Sequence, residues 1–209
     1  LYYPGFGNPN LECEDAWLAS LGPQWRKSIS DWSVEAGVDF NFNSLRNKIV
    51  SAPSVQDPSL WFPYNIGKAL MYGADAKTGA AFRKGDWAAS LSAAYIWQDT
   101  KDRTPGSTSF NEQIPFVSRH SLTVNLNGTF RGFSLDFLWN LRCGRRDSYN
   151  EMPDYNTLDM NFGKRFEFGK GGSLALKFLA RNLTDTRYEL SSGYPMPGRA
   201  FYGSIEYNF

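Results

Sequence analysis

Residues 198–209 read GRAFYGSIEYNF, and their spacing decides the fold. From residue 201 the odd positions are Phe201, Gly203, Ile205, Tyr207 and Phe209, while the even positions are Tyr202, Ser204, Glu206 and Asn208. A two-residue period sends alternate side chains to opposite faces of an extended chain, whereas a helix would repeat every three or four residues. The segment is a strand with one apolar face, and it runs to the bare aromatic Phe209.

The same alternation recurs upstream. Over 157–168 the apolar set is Leu158, Met160, Phe162, Phe166 and Phe168, against Asp159, Asn161, Arg165 and Glu167, with Lys164 as the exception. Over 173–181 Leu174, Leu176, Phe178 and Ala180 oppose Ser173, Lys177 and Arg181, and only Leu179 breaks the polar side. Residues 121–130 divide into Leu122, Val124, Leu126 and Phe130 on one face and Ser121, Thr123, Asn125, Asn127 and Thr129 on the other. The odd positions of 133–143 are Phe133, Leu135, Phe137, Trp139, Leu141 and Cys143. Similar patterns cover 34–42, 72–82 and 87–97, with a weaker one over 17–25. These runs predict about nine strands and no helix.

The composition fits strands that cross a membrane. No run approaches the ~20 apolar residues of a membrane helix, but a barrel strand puts only alternate residues into lipid and keeps a low average hydropathy. Aromatics at 16% and 19 glycines suit closely packed strands with interfacial aromatic belts. Lys plus Arg (22) nearly balance Asp plus Glu (21), so no basic surface argues for nucleic acid. Cys13 and Cys143 match no metal spacing, and Cys143 stands among apolar neighbours as a small hydrophobe, so neither a metal nor a cofactor is implied. GFGNPN lacks the third glycine and the strand-then-helix setting of a dinucleotide loop. The loop-like opening LYYPGFGNPN has no Met and reads as an internal cut in a longer precursor.

The connections carry a second regularity. Short polar links at 83–86, 131–132 and 169–172 alternate with long ones around 51–68, 100–119, 146–154 and 184–199, so short and long ends segregate to opposite sides of a meandering sheet. Outer-membrane barrels have this arrangement, with tight periplasmic turns and long outer loops. Lipid tolerates a sheet only when it is closed, because every backbone N–H and C=O needs a partner. Nine strands cannot close antiparallel, since the first and last would run parallel; further strands are expected, or one is miscounted.

Specific letters then resemble TonB-dependent outer-membrane receptors. PGFGNPNLECEDAW is similar to that family's Gly-Asn-Pro segment through Gly7, Asn8, Pro9, Asn10, Leu11 and Glu14, with Cys13 where proline is usual. NIGKALMYGADA resembles a family strand through Asn65, Gly67, Ala69 and Gly73, with Asp75 for Glu, and IPFVSRHSL keeps Pro115, Arg119 and His120. ARNLTDTRYEL and GYPMPGRAFYGSIEYNF resemble the closing strands through Asn182, Leu183, Asp185, Tyr188, Pro195, Gly198, Arg199 and Phe209. The vitamin B12 transporter branch is the nearest in general feel.

The resemblance implies an all-β transmembrane antiparallel β-barrel of about 22 strands, plugged by an N-terminal domain, of which residues 1–209 are the C-terminal part with about nine strands. It implies a receptor in the bacterial outer membrane that imports a scarce, bulky ligand, such as a cobalamin-like corrinoid or a ferric siderophore, and is not an enzyme. Its implied partners are outer-membrane lipid, the remaining strands and plug, the TonB energy-coupling complex acting through that plug, a surface lipoprotein, and the barrel-assembly machinery. That machinery would read Phe209. A structural or adhesive barrel and a passive porin are the other functions open to such strands.

In a receptor the outer loops and lumen mouth bind the ligand. Tyr2, Tyr3, Phe6, Trp61, Phe62, Tyr149, Tyr155 and Tyr194 are the candidate stacking faces, the bland reading being girdle or loop packing. The lumen face would carry Asp39, Asp75, Lys77, Asp136, Arg142, Asp159, Arg165, Lys177, Arg181 and Glu206, expected to pair across strands or sit in water. Arg145 and Arg146, at a strand's outer end, are candidates for lipid phosphate, with a solvated pair as the plainer reading. His120 is the sole histidine; Ser121 falls on the opposite face, so no serine–histidine pair is expected and His120 is expected to orient a strand end.

Overall fold

The computed structural model describes residues 7–53 and 61–209; Tyr2, Tyr3 and Phe6 lie outside the described residues, and Trp61 is described by its backbone alone. In chain order the strands are β1 (Asp15–Leu21), β2 (Gln24–Ile29), β3 (Trp32–Pro53), β4 (Trp61–Lys84), β5 (Trp87–Asp102), β6 (His120–Phe130), β7 (Phe133–Cys143), β8 (Arg145–Arg146), β9 (Glu151–Met152), β10 (Tyr155–Glu167), β11 (Ser173–Arg181), β12 (Glu189–Ser191), β13 (Tyr194–Pro195) and β14 (Ala200–Asn208). A single 3-10 turn, Gly169–Gly171, is the only helical element among the described residues.

The main sheet is antiparallel in the order β1-β3-β4-β5-β6-β7-β10-β11-β14, with β2 also on β3. β1 and β2 share one register: Leu21 opposes Phe40 and Gln24 opposes Gly37. Gly22 and Pro23 interrupt the ladder because proline has no N–H to give, yet the Pro23 carbonyl still accepts from Val38 N at 3.1 Å. The sheet therefore fills nine places, as the alternation predicts. It is open, with β1 and β2 at one edge and β14 at the other.

Register turns the alternation of single strands into continuous faces. Val34, Ala80, Leu91, Leu126, Phe137, Met160, Ala180 and Phe201 form one cross-strand row, each opposite the next. On the other face the row Ser33, Ala81, Ser90, Asn127, Asp136, Asn161, Leu179 and Tyr202 is mostly polar. Buried apolar side chains among the described residues are only Met152, Ala175 and Ala180, while Trp32, Leu91, Leu126, Phe178 and Phe201 are exposed. Water would not tolerate so wide an apolar wall. Hydrocarbon requires it.

Aromatic pairs bound that wall. Trp87 stacks on Phe130 at 3.9 Å and Trp32 meets Phe82 at 5.0 Å at the short-turn end, while Tyr72 and Trp97 meet edge-on at 6.0 Å at the long-loop end. Trp87 and Trp97 are both on β5, and the ten-residue rise between them is roughly 33 Å, or about 25 Å of height for a tilted strand. That matches an outer-membrane apolar band. His120 lies at the upper belt, where its Nδ1 is 2.7 Å from the Tyr95 hydroxyl, so it orients the start of β6.

One expectation is corrected. The long link around 51–68 is largely strand, because β3 continues to Pro53 and β4 starts at Trp61. Beyond the aromatic belt hydrocarbon no longer imposes alternation, so a paired ladder can persist without it. A bulge at Asn47, in the left-handed region at φ 53°, also shifts the register between Leu45 and Ile49.

Candidate functional site

The long-loop end carries three connections that bond to one another. The first, 103–119, is shaped by Asp102, whose carboxylate accepts from the Ser107 hydroxyl at 2.6 Å, the Ser109 hydroxyl at 2.8 Å and Thr104 N at 2.8 Å. Burial alone would raise that carboxyl, but these donors outweigh it and hold it below the usual carboxylate range.

The second connection, 144–154, begins at Gly144, whose φ of 65° makes a corner that a side chain would resist. The corner resets the alternation. Arg145 turns inward and is only 4% exposed, donating to the Glu189 carbonyl at 2.6 Å and the Leu190 carbonyl at 3.1 Å. Arg146 turns the other way to Glu112 at 2.8 Å. The lipid-phosphate expectation therefore fails for Arg145, which is buried and gives Nη2 to the third connection. Asp147 then accepts from Tyr149 N at 2.7 Å and Asn150 N at 2.6 Å, closing the hairpin tip. Those N–H groups hold its carboxyl below the ordinary range.

The third connection is closed by Asn182, at φ 49°, whose amide donates to the Thr186 carbonyl at 2.9 Å and accepts from Thr186 N at 3.1 Å. Tyr188 stacks on Tyr155 at 4.4 Å, and burial raises its phenol above the ordinary value. Beside β3 and β4, Asn65 takes Glu12 N at 2.7 Å and donates to the carbonyls of Glu12 (2.9 Å) and Asn47 (2.8 Å), while Glu14 accepts Ile49 N at 2.8 Å. Asn65 and Glu14 are thus structural clamps.

The candidate ligand residues fall into distinct places. Tyr149 and Tyr194 are 88% and 73% exposed at the tips of the second and third connections. Tyr155 is half-buried between loops, with the Arg145 guanidinium 4.9 Å from its ring centroid, and Phe62 is half-buried on β4. Sequence reasoning missed Phe110 and Phe116, both exposed on the first connection. Phe116 sits at φ 65°, unusual for a bulky residue, and its N–H donates to the Arg146 carbonyl at 2.7 Å. Applying the loop-aromatic rule to the link around 100–119 would have found both. A cleft of about 660 Å³ between this connection and the β8–β9 hairpin is lined by Lys101, Glu112, Arg119, Arg146, Tyr149 and Asp154 among others.

On the lumen face the expected cross-strand pairing holds in part. Lys177 meets Glu206 at 2.7 Å and Arg181 pairs with Asp159, whereas Asp39 stands directly opposite Asp75. Among the described residues no cluster of three or more His, Cys, Asp or Glu is placed to hold a metal ion.

Residues 1–183 match the family described as TonB dependent receptor-like, beta-barrel. The chain belongs to this family. The TonB-dependent receptors similar to it include the vitamin B12 transporters BtuB of Photobacterium profundum, 24% identical over 213 residues, and of Vibrio cholerae serotype O1, 26% identical over 212 residues. Each alignment covers 100% of this chain and 32% of the relative, so the chain spans about a third of their length. Among solved structures the copper transporter OprC superposes with a TM-score of 0.65 at 17% identity, covering 96% of this chain and 32% of that one. That likeness concerns the fold. These relatives are transporters rather than enzymes, and the TonB-dependent receptor barrel lies in the bacterial outer membrane.

Proposed function

We propose that residues 1–209 are the C-terminal barrel part of a receptor that imports a scarce, bulky ligand, a cobalamin-like corrinoid or a ferric siderophore, using energy from the TonB complex. The reading is supported above all by the tied outer loops that present Tyr149 and Tyr194 to the outside on a lipid-facing barrel wall. Rigid aromatic faces give a large ligand contact area at small entropic cost. The alignment of the whole chain to vitamin B12 transporters favours the corrinoid. A plug upstream would fill a barrel of about 22 strands and transmit the pull of the coupling complex. Phe209, exposed at the end of β14 beside Tyr207 at 6.1 Å, would serve as the signal for the assembly machinery, and a surface lipoprotein would dock over the loops.

The deciding experiment uses the full-length protein in detergent. Cyanocobalamin should raise its melting temperature and bind with a Kd that weakens at least tenfold in Tyr149→Ala. A response to ferric siderophores alone would replace the corrinoid reading. Open-channel conductance of the purified protein in a planar bilayer would make it a porin instead.

A further inference from the structure

Consecutive arginines at the start of the second outer connection reach in opposite directions. Arg145 enters the third connection, giving hydrogen bonds to Glu189 and Leu190 carbonyls and lying over Tyr155, which stacks on Tyr188. Arg146 reaches the first connection through Glu112 at 2.8 Å, and its own carbonyl takes the Phe116 N–H. Gln113 adds a bond from its amide to the Gly144 carbonyl at 2.8 Å. The divergence follows from the Gly144 corner, which ends the β7 register before the two-residue strand β8 begins.

We infer that Arg145 and Arg146 are positioning residues, a two-way clasp that makes the three outer connections one preformed rim and fixes where Tyr149 and Tyr194 stand. The inference rests on the reading of those loops as the ligand-capturing side. A cation as buried as Arg145 is costly to desolvate and is held here by one nitrogen, Nη2, which donates to both carbonyls while the flat guanidinium stands 4.9 Å from the Tyr155 ring centroid. Lysine has the charge without the flat group that reaches the carbonyls and covers the ring at once. Methionine has neither. A preformed rim spares the entropy of ordering loops when the ligand arrives, so loosening the clasp weakens capture without removing a ligand contact.

The test uses full-length protein in micelles, with Cys13→Ser and Cys143→Ser as background and spin labels on Glu151→Cys and Leu190→Cys, one on each side of the Arg145 bonds. The clasp gives a single narrow label-to-label distance; Arg145→Met should widen the distribution at least twofold, and Arg145→Lys should widen it too, with the barrel melting temperature unchanged. Arg146→Met should leave this pair narrow and widen a Thr108→Cys to Glu151→Cys pair. An Arg145→Met distribution as narrow as the parent overturns the inference, as does widening only together with barrel melting. Cyanocobalamin binding is read in parallel: absence of binding in the parent sinks the corrinoid reading while the distances still judge the clasp. Where the parent binds, Arg145→Met should weaken binding at least tenfold, and unchanged affinity in a widened rim overturns the positioning role.

Discussion

Asp185 Oδ1 accepts the Arg199 backbone N–H at 3.0 Å while Oδ2 faces the Arg199 guanidinium at 3.6 Å, so one side chain shuts the third outer connection at its base twice over. Both side chains are about half exposed, which leaves the ion pair worth little, and the backbone bond carries most of the effect. Asp185 also holds φ 52°, a conformation that Asn and Asp tolerate and a β-branched residue does not. Asp185→Asn should cost less than ~0.5 kcal/mol of loop closure, and Asp185→Val about 2 kcal/mol or more. Trypsin cleavage after Arg187, inside the connection, reads the difference: at least tenfold faster in the Val variant and near the parent rate in the Asn variant.

The two faces of the sheet should respond oppositely to charge. Leu126 belongs to the apolar row near the middle of β6, and its neighbour Asn125 points to the lumen side. Leu126→Arg should destabilise the barrel by ~2–4 kcal/mol and Asn125→Arg by less than ~1 kcal/mol, measured by reversible unfolding in lipid vesicles. Equal effects would mean that the apolar row does not meet hydrocarbon.

How much of this was legible in the letters depends on what surrounds each segment. Between the belts hydrocarbon on one side forces every second residue of β6, β7 and β11 to be apolar, so Leu122 to Phe130 and Leu174 to Ala180 announce their strand in sequence. Beyond the belts that pressure ends, and the upper arms of β3 and β4 read as loop although they remain paired up to Pro53 and Trp61. The loop site was half visible. Tyr149 and Tyr194 stand out as aromatics in polar stretches, but the inward turn of Arg145 depends on the backbone at Gly144, and no period in the sequence encodes that corner. The family letters Asn65, Asn182 and Asp185 were legible as a pattern only; the hydrogen bonds give them their reason.

The two-residue turn between β6 and β7 offers a third test. Arg131 at φ 46° and Gly132 at φ 77° form a hairpin turn whose twist matches the strands it joins. A Cβ on Gly132 would stand 2.6 Å from the Arg165 carbonyl oxygen, a fixed backbone atom, whereas one on Gly128 would meet nothing within 4 Å. Gly132→Ala should therefore cost about 1–3 kcal/mol and slow refolding, while Gly128→Ala should stay within about 0.5 kcal/mol. Urea unfolding of the two variants side by side decides it.

Acid should open the second outer hairpin before it disturbs the barrel. The Asp147 carboxyl is held below its ordinary range by the N–H groups of Asn150 and Tyr149, so its charged form is bound more tightly folded than unfolded. A depressed folded value means the stabilisation is present in full above the unfolded value and is lost as pH falls through the folded one. The loss therefore begins as pH falls through the ordinary carboxylate range and is complete only below the depressed folded value. Asp147→Asn keeps an acceptor oxygen and removes the titration. Pepsin cleavage within 147–152, followed from about pH 4 to about pH 2, should accelerate in the parent relative to the Asn variant as acidity rises. If parent and variant opened in step, protonation elsewhere would control the tip, and the Asp147 bonds to Tyr149 and Asn150 would not be what keeps Tyr149 in place.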